Sequence, residues 1–247
     1  MWRTVEVVAE TGSTNSDLIA RANSGAPIAG AVLIAEHQTA GRGRQGRSWA
    51  AARYAQITMS VAIDTAGVPT DAWGWLPLAT GLAIVDTVTE LGVDAGLKWP
   101  NDVLAGGGKL AGILAEVAAE QRVVVLGMGL NVSLSADEAG VDGVTSLVGL
   151  GVTAPDRQRV VIALLNALGH RIDAWRRAGG ADPKLIADYR ARSLTLGMGV
   201  RAILPGEREI VGLATGIDDQ GRLTIDTDGQ TATVAAGDIV HLRPAES

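Results

Sequence analysis

Arg42, Arg44 and Arg47 alternate with Gly41, Gly43 and Gly46, and no Asp or Glu occurs from His37 to Ile63. The whole chain nevertheless carries net charge -6. A cationic block in an acidic protein asks for an anion. Glycines let backbone N–H groups turn inward and approach it. Arginines add planar, bidentate recognition of phosphate or carboxylate. By spacing alone the stretch also fits a solvated basic loop. Gly41-x-Gly43-x-x-Gly46 further matches a dinucleotide fingerprint, with strand-like Ala31–Ala35 before it and Gln56–Ile63 after it, ending at Asp64. Against that reading, only about ten residues separate Gly46 from the next strand, the lower limit for a crossover. Three arginines would also crowd a place where helix N–H groups suffice.

Four other segments hold chemically useful groups. Lys98-Trp99-Pro100-Asn101-Asp102 packs a cation, an amide and a carboxylate beside a proline that stiffens the turn. Lys98 could bind phosphate, Asn101 could fix a polar group, and Asp102 could hold a divalent metal or orient an amine. An ordinary Asn-Asp turn explains the same residues. Gly106-Gly107-Gly108-Lys109 lacks Walker spacing, since Leu110 follows the lysine. A hairpin between Val103 and Leu114 with a solvated lysine is its simpler reading. Thr11-Gly12-Ser13-Thr14-Asn15 precedes a short amphipathic helix, and capping accounts for its polar residues. Gly127-Met128-Gly129-Leu130-Asn131 closes a buried run, where glycines admit a flat ligand or mark a bulge.

The elements that must position these groups alternate in type. Strand-like runs are Val5–Ala9, Ala31–Ala35, Gln56–Ile63, Leu97–Trp99, Ile113–Val117 and Arg122–Leu126. Helical spacing links Leu76, Ala79, Leu82, Ala83 and Val88, and again Val160, Leu164, Leu168, Ile172 and Trp175. Asp182-Pro183 predicts an N-cap and a first-turn proline for a helix through Tyr189. From Val200 onward, short β-rich runs are divided by Pro205-Gly206, Asp219-Gln220-Gly221 and Asp228-Gly229, as in a small barrel. The expected division is 1–196 and 197–247, in an α+β protein.

Composition excludes several classes. Cysteine is absent, which removes disulfides, thiolate metal sites and cysteine nucleophiles and fits a reducing cytoplasm. Phe is absent too, so Val, Leu, Ile, Ala and six Trp must build the core. Three scattered histidines make a poor metal site. No stretch spans a bilayer and no signal peptide is visible. The acidic balance argues against general nucleic-acid affinity.

Taken in order, Ser13-Thr14-Asn15, Gln38 to Trp49, Lys98 to Asp102, Lys109 to Glu116 and Gly127 to Asn131 resemble biotin protein ligases over nearly the whole chain. The resemblance implies a catalytic core like that of class II aminoacyl-tRNA synthetases, with a mixed, largely antiparallel sheet and a C-terminal SH3-like barrel. It implies ATP and biotin as substrates, Mg²⁺ as cofactor, and transfer of biotin to a lysine of the biotin carboxyl carrier domain of biotin-dependent carboxylases. Ser13, Thr14, Asn15 and Gln38 would then face the biotin ring. Gly41, Arg42, Gly43, Arg44 and Lys109 would enclose its carboxylate and the α-phosphate. Arg44, Arg47, Trp49, Lys98, Asn101 and Asn131 would hold ATP or the adenylate. Arg42, Lys98, Asp102 and Lys109 would act at the reacting centre, Asp102 being the candidate for Mg²⁺ or the incoming lysine.

The loop Gly41 to Ala52 is expected to order on ligand binding, and the acidic Ser135 to Gly143 could cover the adenylate. Twelve residues before Ser13 are too few for a helix-turn-helix, so a single-function cytoplasmic ligase without DNA or membrane binding is expected, as a monomer or weak homodimer. The competing readings are a lipoate or octanoate ligase with the same core, which would lack the arginine-rich loop, and a non-catalytic binding module.

Overall fold

A computed structural model describes residues 1–49, 52–135, 143–204, 208–235 and 237–242. The turn expected at Pro205-Gly206 and most of the segment from Ser135 to Gly143 lie outside these residues, as do Ala50 and Ala51 in the arginine loop.

Seven strands form the main sheet: β1 (Thr4–Val8), β2 (Ala31–Ala35), β3 (Gln56–Asp64), β4 (Ala95–Lys98), β5 (Asp102–Ala105), β6 (Gly108–Ala118) and β7 (Val123–Asn131). Their spatial order is β1-β2-β3-β7-β6-β5-β4. Only β1 and β2 pair in parallel, and every other neighbour is antiparallel. Because β2 and β3 are antiparallel and the described residues between them hold one turn of 3-10 helix, Arg44–Gly46, the glycine pattern does not open a βαβ unit. The dinucleotide reading fails on topology.

Strand alternation sorts the two faces. Ile57, Met59, Val61 and Ile63 of β3 join Val124, Leu126, Met128 and Leu130 of β7 in the main core. The intervening residues are Thr58 and Ser60 on β3, and Gly127 and Gly129 on β7. They belong to the opposite face, where helix α1 (Thr14–Asn23) packs. There Leu18 and Ala22 meet Leu33, Ala62, Val123 and Val125 in a second, smaller core. The apolar face of the sheet is covered by α2 (Trp75–Thr89), itself buried on nearly every side. Helices α3 (Arg157–Ala178) and α4 (Pro183–Arg192) pack outside it. Asp182 caps α4 as its sequence predicts, its carboxylate accepting from the Leu185 N–H at 2.7 Å.

The C-terminal sheet is antiparallel throughout. Its strands are β8 (Gly199–Ile203), β9 (Glu209–Ile217), β10 (Leu223–Thr227), β11 (Gln230–Val234) and β12 (Asp238–His241), in the order β11-β10-β9-β8-β12. Asp228 and Gly229 take φ of 52° and 83° and join β10 to β11 in the two-residue hairpin that Asp-Gly favours. This sheet is bolted to the core through indoles. Trp75 Nε1 lies 3.0 Å from the Asp219 carbonyl, and Trp99 Nε1 donates to that of Gly221 at 3.1 Å. Gly74 permits the contact, since a Cβ there would lie 2.2 Å from the Gln220 carbonyl oxygen. No helix among the described residues is long and apolar enough to cross a membrane.

Candidate functional site

A cavity of about 420 Å³ lies on the α1 face of the sheet, between the arginine loop, the turn after β4 and strand β12. Its walls include Ser13, Thr14, Asn15, Gln38, Arg42, Gly43, Arg44, Arg47, Trp49, Lys98, Asn101, Asp102 and Lys109. Of the residues that the resemblance assigns to the ligands, Gly41 and Asn131 are not in the wall. Gly41 lies at the root of the loop, where a Cβ would meet the Trp49 carbonyl oxygen at 2.4 Å.

One end of the cavity is neutral and polar. Ser13 is the N-cap of α1, its hydroxyl accepting from the Ser16 N–H at 3.4 Å, so capping and wall formation coincide in one residue. Gln38 Oε1 accepts the Thr14 N–H at 2.8 Å. Asn15 is almost wholly buried and donates through Nδ2 to the Leu114 carbonyl at 3.2 Å and to Glu116 at 2.9 Å. Gly127 makes room for that amide, because a Cβ would stand 2.4 Å from Asn15 Oδ1.

The other end is cationic. Lys109 Nζ meets Asp102 Oδ1 at 2.7 Å, and this oxygen is shut off from solvent. The lysine is therefore held over the cavity and is not the solvated hairpin residue of its simpler reading. The hairpin itself is present, with Gly106 and Gly107 at positive φ. Among the described residues Lys98 makes no side-chain ion pair or hydrogen bond, so its charge is available to a ligand. Arg42 pairs with Glu116 at 3.0 Å. Arg44 donates to Asn101 Oδ1 at 2.9 Å and to the Gly237 carbonyl at 3.1 Å, and Arg47 pairs with Asp238 at 2.8 Å. Two arginines thus latch the loop onto the C-terminal sheet. Burial pulls the Arg44 guanidinium below its ordinary range and Arg47 adds to this, while Asp238 and Asp102 oppose it.

Trp49 lies against the sheet itself. Added Cβ atoms would come within 2.8 Å of its ring at Gly112 and 2.6 Å at Gly129. Lys109 Nζ sits 5.2 Å from its ring centroid. The flat group admitted by Gly129 of β7 is therefore the protein's own indole, Gly127 admits the Asn15 amide, and β7 has no bulge. Asn131 is buried behind the cavity. Its Oδ1 accepts from Gln56 at 2.8 Å, and its Nδ2 donates to the carbonyls of Lys109 and Thr145 at 3.2 and 2.9 Å.

Sequence reasoning singled out neither Ser60, Gln56, Asp238 nor Thr195. Ser60 and Gln56 share strand parity with Thr58 and could have been found as polar residues facing away from the apolar core. Asp238 and Thr195 carry no local signal, since only the fold brings them to the loop and to the Lys98–Asp102 turn. Thr195 Oγ1 accepts the Trp99 N–H at 3.0 Å and lies 3.1 Å from His241 Nε2. Burial, and then the charge of Lys98, lower the His241 pKa below its usual value near 6.5. A lowered histidine pKa means the unfolded chain binds the extra proton first. Folding stability is therefore expected to fall as pH drops below about 6.5, through the lowered folded value. His241→Gln should flatten that slope in melting temperatures taken from pH 7.5 down to 5.5, and an unchanged slope would clear His241 of the effect.

A family model described as the biotin/lipoate A/B protein ligase family matches residues 7–133, and one described as the biotin protein ligase C-terminal domain matches residues 195–242. The chain is 60% identical to a biotin–[acetyl-CoA-carboxylase] ligase of Mycobacterium tuberculosis, over 98% of this chain and 90% of that protein. It is 32% identical to the bifunctional ligase/repressor BirA of Escherichia coli, over 98% of this chain and 75% of that protein. Its fold is similar to that of a biotin protein ligase from Aquifex aeolicus solved with biotin and ATP. The TM-score is 0.83 at 24% identity, covering 98% of this chain and all of that one.

Proposed function

The chain belongs to the biotin/lipoate A/B protein ligase family, and we propose that it is the ATP-dependent ligase that activates biotin as biotinyl-5'-AMP and transfers it to a lysine of a biotin carboxyl carrier domain. The observation that carries this reading is one cavity with a neutral, hydrogen-bonding end at Thr14 and Gln38 and a cationic end at Arg42, Arg44, Lys98 and Lys109. That polarity matches a ligand with a ureido ring at one end and a carboxylate at the other. Lipoate and octanoate carry no ring donors for the polar end to bind.

In the first step a biotin carboxylate oxygen attacks the α-phosphorus of ATP, and the bond to pyrophosphate breaks. Two anions must meet, so their repulsion has to be offset. Lys109 and Lys98 supply point charges there, and Arg44 adds forked donors for carboxylate and phosphate oxygens. In the second step a carrier lysine amine attacks the anhydride carbonyl carbon, AMP leaves, and the amine loses its proton. Asp102 would orient that amine once the substrate draws Lys109 away. Among the described residues no group of three or more His, Cys, Asp or Glu side chains could cage a metal. Mg²⁺ would enter with the triphosphate and supply charge neutralisation there, Asp102 being the carboxylate of the cationic end that would meet it.

Residues 1–196 would hold biotin and ATP, with 197–247 closing the cavity through Gly237 and Asp238. The loop Gly41 to Ala52 is read as a lid that shields the anhydride from water. Its amide hydrogen exchange should slow on adding biotin with ATP, and unchanged exchange would remove the lid. The carrier domain would be met by backbone pairing along a sheet edge. Edge strand β1, where Val5 and Val7 are exposed, is the proposed place for that pairing. The cytoplasm is its proposed compartment, in keeping with a chain that carries no cysteine.

The deciding experiment is pyrophosphate release from Mg·ATP with biotin, lipoate or octanoate in parallel. Release with biotin alone supports this reading. Release with another acid moves the substrate within the family. No release with any acid leaves a binding module.

A further inference from the structure

Behind the polar end of the cavity a hydrogen-bonded chain runs through buried side chains. Glu116 Oε2 accepts from Asn15 Nδ2 at 2.9 Å, and Asn15 Oδ1 accepts from Ser60 Oγ at 2.6 Å. Ser60 Oγ lies 2.6 Å from Thr14 Oγ1, which lies 3.0 Å from Gln38 Oε1. Ser60 is fully buried and does not line the cavity.

The protons in this chain can be counted. Both Asn15 Nδ2 hydrogens are committed, one to the Leu114 carbonyl and one to Glu116, and a carboxylate or carbonyl accepts only. The amide therefore cannot flip, and its Oδ1 must receive the Ser60 proton. With that proton spent, the short Thr14–Ser60 contact needs the Thr14 proton. Thr14 Oγ1 is also within donating distance of Gln38 Oε1, at 3.0 Å, but its single proton goes to the shorter 2.6 Å contact with Ser60, where two oxygens would otherwise meet without one. Gln38 Oε1 is in turn fixed as an acceptor by the Thr14 N–H. Every hydrogen bond thus points inward, and Thr14 Oγ1 and Gln38 Oε1 offer lone pairs at the cavity.

We propose that Ser60, anchored through Asn15 by Glu116, is a positioning residue that sets this direction and so makes the pocket select a ligand ring carrying N–H donors. The proposal deepens the biotin reading and rests on it. In Ser60→Ala the Thr14 hydroxyl has no inward acceptor and turns its proton to Gln38 Oε1, which removes one acceptor from the pocket and leaves Asn15 Oδ1 unfilled.

The test is calorimetric binding of biotin and of biotin methylated on a ring nitrogen, with the whole chain. Wild type should prefer biotin. Ser60→Ala should bind biotin about tenfold more weakly while its preference over the methylated analogue shrinks by a similar factor, with the KM for ATP unchanged. Ser60→Thr keeps the hydroxyl and should restore the preference. Ser60→Cys keeps the side chain's shape but is a much weaker donor and acceptor, so it should shrink the preference in the same direction, and it decides the matter if Ser60→Ala does not fold. Unchanged biotin affinity in Ser60→Ala, or an equal loss for both ligands, overturns the proposal. A wild-type protein that binds neither ligand instead overturns the biotin reading on which it stands.

Discussion

Lys109→Ala is expected to slow biotin-dependent pyrophosphate release by about 100- to 1000-fold, the loss usual for one preorganised charge donor at a reacting centre. The hairpin turn at Gly106 and Gly107 starts β6 so that Lys109 projects over the cavity. Asp102, at the start of β5, holds it there at 2.7 Å. Without the ammonium, two anions must approach with one cation fewer, and a shielded Asp102 oxygen loses its partner. These two consequences can be separated. Lys109→Ala combined with Asp102→Asn removes the stranded carboxylate, so it should recover melting temperature without recovering rate. Single-turnover pyrophosphate release is the measurement. A Lys109→Ala protein with the wild-type rate would return this lysine to a structural role, fixing the Asp102 turn.

Arg44→Ala is expected to release bound biotinyl-5'-AMP about ten- to a hundredfold faster than wild type, from the loss of a charge-assisted hydrogen bond of about 1.5–3 kcal/mol. Arg44 is the loop residue that touches both halves of the molecule, through Asn101 and the Gly237 carbonyl. Its removal therefore loosens the latch as well as a contact to the ligand. Arg44→Lys distinguishes the two effects. It keeps the charge but loses the planar fork, so it should fall closer to alanine than to arginine. Asp238→Asn weakens chiefly the neighbouring Arg47 latch and leaves the Arg44 bonds to Asn101 and Gly237 in place, so it should accelerate release less. The dissociation rate of radiolabelled adenylate reports all three. A wild-type rate in Arg44→Ala would take Arg44 out of the adenylate contacts.

The arginine loop and the Lys98–Asp102 turn were legible because their chemistry is local. Glycine spacing and clustered charge are visible without knowing what lies opposite. Strand β2 was found with its observed limits, and β3 to within one residue, because alternation of apolar residues is itself a local signal. Strands β6 and β7 ran longer than expected. Gly112, Gly127 and Gly129 lower strand propensity, yet pairing on both sides carries them. Lys109 was read most simply as solvated, since nothing near it in sequence reveals that Asp102 lies across the β5–β6 hairpin.

The sequence by itself determined most of the secondary elements, though not strand β5, together with the cationic loop and the resemblance that joins the motifs. Each depends on residue type and short-range period. Only the tertiary structure decided which groups meet. It brought Asn15 to Ser60 and Glu116, Arg44 to Gly237, Arg47 to Asp238, and Thr195 to Trp99, pairs separated in the chain by 45 to 193 residues. The physical reason is that hydrogen bonds and ion pairs act over a few ångströms in space and leave no period in the chain. Their partners are set by sheet register and by how the C-terminal strands dock, and both follow from burial summed over the whole core.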